Sequence, residues 1–434
     1  MMTKSMAGTL ARMMALTSVL AAPLALGLDQ QLNTAQDATQ QRQPENMPPI
    51  VQDDSTDYAS ELPSAYVTSP QQIMAYNRAI KDAESREGAY GASLSESVLG
   101  LAQILQSQGR HDEAIKLYKR GQHLTRINEG LYCPQQIPLL QGEIASHKAL
   151  QRYDQVDERQ NYLYRVQTRA LGSSDALVDA LMGQAKWQYE AYQLGLGRGG
   201  YDRLIDMWEL YRMALNDVIV REGEQSAKLL PPLHGMLEAQ YLISSVDIRP
   251  STPVFTEDGQ IDEELLRFKT YHAQSYRQGN AVIESIASIE QAHSQQQSAS
   301  LAGTLVMLGD WRLWNGRTDA AWAAYREAAT ELARESDAQE KARRLFGEPV
   351  PLPAIEDINP LPPTVANDEQ AVTLAFRVNE QGKVRDIERL DDNEAEDKQA
   401  YRLIRQLRNT RFRPRLEAGQ PVETENIVKS FQIQ

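Results

Sequence analysis

Gly109-Arg110-His111-Asp112-Glu113-Ala114 and Gly316-Arg317-Thr318-Asp319-Ala320-Ala321 are nearly the same phrase, written twice in one chain. The likeness continues at fixed offsets: the first copy runs on to Tyr118 and Gly121, the second to Tyr325 and Ala328. Each copy is preceded by a run with helical spacing, Val98, Leu101, Ala102 and Leu105 before the first and Leu305, Leu308, Gly309 and Arg312 before the second. Residues three and four apart share one face of a helix. A glycine between two such runs permits the sharp turn that lays them antiparallel. The chain is therefore predicted to contain helix pairs in which Ala102 and Gly309 face Ala114 and Ala321, while Tyr118 and Tyr325 fill the groove toward the next pair.

Outward from these copies the pattern weakens without vanishing. Tyr153, Val156 and Leu163 keep the same offsets around Gln151, and Gly199, Tyr201, Leu204, Trp208 and Tyr211 do so again further on. This arrangement resembles the tetratricopeptide repeat, a pair of antiparallel helices of about 34 residues that buries its apolar face by stacking on its neighbours. The matching signature positions are Gly109, Ala114, Tyr118, Gly316, Ala321 and Tyr325. The resemblance implies an all-α helical solenoid over residues 69–346, with two clear repeats and degenerate ones between them. Pro231-Pro232 and Arg249-Pro250-Ser251-Thr252-Pro253 mark breaks, and Glu263 to His293 reads as one or two helices.

The C-terminal end has a different period. Val372 to Val378 alternates apolar and polar residues, as a strand with one buried face does. Asn379-Glu380-Gln381-Gly382-Lys383 forms a turn, and Val384 to Leu390 alternates again. Ala400, Leu403, Ile404 and Leu407 then recur at helical spacing, followed by Arg411-Phe412-Arg413-Pro414, a Gly419-Gln420-Pro421 turn and a last strand over Val422 to Ile433. This succession resembles the C-terminal domain of TonB, the periplasmic energy transducer of Gram-negative bacteria. The resemblance implies a small α+β domain at residues 367–434 whose last strand pairs with a segment of an outer-membrane protein. On that footing Glu425, Asn426, Val428 and Ser430 are the residues expected to meet a partner by strand addition. Dimerisation of the edge, or cover by the proline-rich segment before it, is the competing expectation.

The remaining segments read as signals and joints. Lys4 and Arg12 precede an uncharged stretch, Met13 to Leu28, that is too short for a membrane span of roughly twenty apolar residues and suits a secretory signal. Residues 1–27 are accordingly read as a cleavable signal peptide that sends the protein to the periplasm, with an uncleaved anchor as the alternative. Residues 28–68, rich in Gln, Asp, Asn, Thr and Pro, read as a disordered polar linker. Residues 347–366, with Pro349, Pro351, Pro353, Pro360, Pro362 and Pro363, read as an extended, semi-rigid linker. The net charge of −14 over 434 residues argues against nucleic-acid binding. The lone Cys133 excludes an internal disulfide.

No constellation of residues announces chemistry. Leu194-Gly195-Leu196-Gly197-Arg198-Gly199-Gly200 lacks the lysine and the preceding strand of a phosphate loop and reads as a turn inside a repeat. His111, His123, His147, His234, His272 and His293 are scattered without metal-ligand spacing. The aromatics Trp187, Tyr189, Tyr192, Tyr201, Trp208 and Tyr211 read as core. Asp391, Asp392, Glu394, Glu396 and Asp397 read as the solvated entry of the C-terminal helix, where negative charge suits the dipole. The run Arg402, Arg405, Arg408, Arg411, Arg413 and Arg415 reads as a solvated basic face. The sequence thus predicts a multidomain, non-catalytic periplasmic adaptor with no metal or cofactor. Its partners are expected to be periplasmic or membrane proteins, including TonB-system or outer-membrane proteins, in TonB-dependent transport or envelope assembly. A membrane-anchored TonB-type energy transducer is the alternative function, and a repeat-scaffolded envelope enzyme is the alternative of another class.

Overall fold

The computed structural model describes residues 70–432 apart from 198–199, 249–260, 294–300, 335–336, 356–357, 359, 366–370, 392–396 and 418. The expected signal peptide, the first linker, the Arg249–Pro253 break and most of the acidic run lie outside those residues. Two compact units divide the chain, Met1–Asp82 and Ala83–Gln434. Of the first, the described part is the start of helix α1, Pro70–Glu87. Everything discussed below belongs to the second.

That unit begins with consecutive antiparallel pairs. They are α2 (Leu94–Ser107) with α3 (His111–Glu129), α4 (Gln136–Ala149) with α5 (Tyr153–Ala170), α6 (Asp175–Gln193) with α7 (Tyr201–Glu222), α8 (Leu230–Ser245) with α9 (Glu263–His293), and α10 (Leu301–Trp314) with α11 (Thr318–Leu332). A short α12 (Ala338–Phe346) closes the array. Glu263 to His293 is one continuous helix.

The turns show that the pairs repeat. The amides of Gln108, Gly109 and Arg110 donate to the carbonyls of Ile104, Gln106 and Leu105, and the same three bonds recur at Leu150–Arg152, Leu194–Leu196 and Asn315–Arg317. The pivot residue adopts a left-handed backbone each time, with φ of 75° at Gly109, 67° at Gly195 and 71° at Gly316. In the second pair that position is Gln151, at φ 55°. Two orphan carbonyls at each helix end are thereby satisfied.

Small residues set how closely the helices approach. A Cβ on Gly142 of α4 would lie 2.3 Å from the Tyr118 ring of α3, and one on Gly235 of α8 would lie 2.4 Å from the Tyr211 ring of α7. Tyr118 therefore reaches the next pair, as its spacing predicts. Tyr325 behaves differently, because its ring rests on Gly309 of its own pair, where a Cβ would meet it at 2.3 Å. Ala102, Ala114 and Ala321 are fully buried.

The C-terminal region is a three-stranded antiparallel sheet of order β3–β2–β7 with a helix packed on it. Its strands are β2 (Val372–Val378), β3 (Val384–Arg389) and β7 (Thr424–Phe431), and the helix is α13 (Asp397–Asn409). Val372, Leu374, Phe376 and Val378 alternate inward from β2 and meet Ala400, Leu403 and Leu407 of the helix. The last strand begins at Thr424 rather than Val422, because β6 (Gln420–Val422) pairs with β5 (Arg415–Glu417) in a separate hairpin.

The described parts of the proline-rich segment are built into the unit. Val350 and Pro351 form β1 and pair with β4, Phe412–Arg413. Leu352 is fully buried beside Tyr325, Phe346 and Leu416. Leu361 joins the core beneath the sheet. Proline lacks an amide donor, and its locked φ suits an edge position where one side of the backbone is not needed for pairing. The described parts of this segment around Val350–Leu352 and Leu361 are therefore packed into the unit as a strap.

Candidate functional site

Two surfaces qualify for recognition. The first is the outer edge of β7, where Glu425, Asn426, Val428 and Ser430 lie. Phe376 pairs with Ile427 but Val378 pairs with Thr424, so β7 carries an extra residue relative to β2. Asn426 within this bulge has φ 54°. A bulge bends a strand and interrupts its ladder, one of the ways edges are protected from indiscriminate pairing. Glu425 lies 3.9 Å from Arg377, which also pairs with Asp386. Val428 is 53% exposed.

The polar groups of Ser430 are already engaged. Its hydroxyl bonds the Thr373 hydroxyl at 2.9 Å, and its carbonyl accepts from the Val365 amide at 2.9 Å. The Gln432 amide donates to the Pro363 carbonyl. The strap thus occupies the edge at Ser430–Gln432. Among the described residues its pairing ends at Val365.

The second surface was not singled out from the sequence. It is a hollow of about 480 Å³ between α3 and α5, lined by Lys119, Gln122 and Arg126 from the first and Glu158, Arg159, Tyr162 and Arg165 from the second. Steps of three and four place Lys119, Gln122 and Arg126 on one face of α3 and Glu158, Tyr162 and Arg165 on one face of α5, with Arg159 beside Glu158. Glu158 pairs with Arg159. Arg126 has no ion-pair partner among the described residues, and the Arg165 guanidinium lies 5.7 Å from the centre of the Tyr162 ring.

Beneath this hollow α4 supplies a buried polar group. Gln122 donates to Glu143 Oε2 at 2.6 Å, and Lys119 Nζ lies 3.7 Å from Oε1 of the same carboxylate. Glu143 is fully buried and His147 nearly so. Burial holds the His147 imidazole below its ordinary value, against the pull of Glu143. Tyr162 Oη donates to Gln136 Oε1 at 3.2 Å, tying α5 to α4.

The other sequence candidates resolve into structure. Trp187, Trp208 and Tyr211 are buried, and the Trp187 indole donates to Asp157, which also receives two bonds from Arg203. Near the glycine-rich stretch, Gly200 caps α7 at φ 79° and the Asp202 amide donates to Glu264. The arginine run divides: Arg402, Arg405 and Arg408 are exposed, whereas Arg413 is buried against Asp310 and Arg415 pairs with Glu417. Cys133 is buried. Among the described residues no helix is long and apolar enough to cross a membrane.

No family model matches the chain, and no curated protein does. Among solved structures it is similar to the crystal structure of BtubC (BKLC) from P. vanneervenii, at 17% identity and a TM-score of 0.35, over 61% of this chain and 90% of that one. A likeness at that score carries no argument about fold or function.

Proposed function

We propose that this chain is a non-catalytic periplasmic adaptor, in which a tetratricopeptide-like array and a TonB-like C-terminal region hold protein partners. The observation that carries the reading is the repetition itself: four turns with the same three hydrogen bonds generate successive helix pairs. Stacked pairs present long surfaces, and such surfaces serve recognition. The hollow between α3 and α5 draws its side chains from two successive pairs, so it exists only because the pairs stack.

The C-terminal region adds a second face on the same body. Its edge at Asn426–Val428 is the segment proposed to accept a strand from an envelope protein. TonB-dependent transport or envelope assembly is the setting this reading favours, by the resemblance of the C-terminal segment alone.

The test is size-exclusion chromatography of the full chain in a detergent-free periplasmic extract of its host, followed by mass spectrometry of the fractions. The expected result is a chain of mature length eluting in stoichiometric complex with a second protein. Elution as the free chain under all extraction conditions contradicts the adaptor. Recovery only from membranes, with Met1 intact, favours the anchored transducer instead.

A further inference from the structure

We propose that the hollow between α3 and α5 takes an acidic peptide segment of a protein partner, extended along the two helices. The inference rests on the adaptor reading and names the chemistry of what the array holds.

Charge is the first ground. Lys119, Arg126, Arg159 and Arg165 face the hollow against two carboxylates, Glu158, which pairs with Arg159, and the buried Glu143 beneath, which pairs with Lys119, so Arg126 and Arg165 supply the charge left for a ligand. This concentration occurs in a chain of net charge −14, so the hollow opposes the field of the protein as a whole. Clefts lined by one sign of charge concentrate ligands of the other.

Length is the second. Lys119 and Arg126 stand seven positions apart on α3, about 10 Å along the axis at 1.5 Å per residue. That distance matches about three residues of a polyproline II segment, whose side chains return to one face every third residue. A peptide with carboxylates three residues apart can present one toward each end of that span.

Shape is the third. The half-buried Tyr162 ring provides an apolar wall between the cations of the two helices. Its hydroxyl bond to Gln136 fixes that wall in place. Arginine and tyrosine together are the residue types that most often anchor a bound chain.

The experiment is fluorescence anisotropy with a labelled eight-residue peptide bearing a carboxylate at every third position, titrated with the full chain. The same peptide with lysines at those positions is the control. Arg126→Glu with Arg165→Glu should weaken binding roughly tenfold or more, while Arg126→Lys with Arg165→Lys should stay within a few-fold of the parent. Both arginines are exposed, so circular dichroism should be unchanged in either variant. Equal affinity for the charge-reversed variant overturns the proposal, as does displacement of the peptide by inorganic phosphate at equal concentration. Absence of peptide binding in a chain that still co-elutes with a partner overturns the hollow and leaves the adaptor standing. A chain that co-elutes with nothing overturns the adaptor, whatever the peptide does.

Discussion

Arg413 Nη1 donates to Asp310 Oδ2 at 2.7 Å, with both side chains almost wholly buried. Tyr325 Oη donates to the other oxygen of the same carboxylate at 2.7 Å. Asp310 and Tyr325 belong to the last helix pair and Arg413 to the strand entry of the C-terminal region. One buried carboxylate therefore joins the array to the sheet, and the two recognition faces belong to one body.

Breaking that pair from one side should be severe. Arg413→Met leaves Asp310 buried without its cation, an arrangement that costs about 3–5 kcal/mol. Replacing both, Arg413→Met with Asp310→Leu, should recover most of the loss, since an apolar pair of similar volume is often neutral or better. Urea denaturation of the two variants checks the contrast.

Leu352 tests the strap. It is fully buried against Tyr325, Phe346 and Leu416, so Leu352→Ala should cost about 2–5 kcal/mol, as buried leucines do. Were Leu352 not packed into the unit, the same change would leave the denaturation midpoint where it was.

Asp206 on α7 gives a pH-dependent test. Burial pushes its carboxyl up to about 6 from the ordinary 3.8, with Asp202 and Glu209 adding to the rise and Arg267 and Arg203 opposing it. The fold holds this proton more tightly than the unfolded chain does. Its contribution to stability is therefore fully present below pH 3.8 and lost as the pH rises through about 6. Asp206→Asn should match the parent at the acid end and exceed it by up to about 3 kcal/mol above neutrality. Thermal unfolding across that range reads the difference.

The turns allow a stabilising change. Gln151 is held at φ 55° where three other turns have glycine. Left-handed backbone costs a residue with a Cβ about 1–2 kcal/mol, so Gln151→Gly should raise the melting temperature. Gly142→Ala should lower it, because the new methyl group would meet the Tyr118 ring at 2.3 Å and overpacking of this kind costs about 1–3 kcal/mol.

The helix pairs and the order of the C-terminal elements were legible because periodicity is local. The offsets from Gly109 to Tyr118 and from Gly316 to Tyr325 are the same, and β2 occupies Val372–Val378, the residues whose alternation marks it. The Gln151 turn was legible from its flanks although its own residue is a poor fit. The packing of the strap was not legible for the same reason that the strands were read well. Prolines report that a segment is not helical, but Leu352 and Leu361 find their partners far along the chain, and composition carries no trace of that. The hollow escaped because its two sets of residues, Lys119 to Arg126 and Glu158 to Arg165, each look like an ordinary solvated helix face. The cations Lys119 and Arg126 at i, i+7 and Arg159 and Arg165 at i, i+6 were the available signal, and only stacking turns them into a cavity.

The central claim is that partners are held at particular faces of the body, and residue-resolved photo-crosslinking in the host cell addresses it most directly. A photoreactive side chain would replace Arg126, Arg165 or Val428 in turn, with exposed Met213 and Val220 as control positions. The account expects discrete adducts to a protein partner from the hollow positions or from Val428, and none from the controls. Adducts of equal yield at every position, or none anywhere, would contradict it.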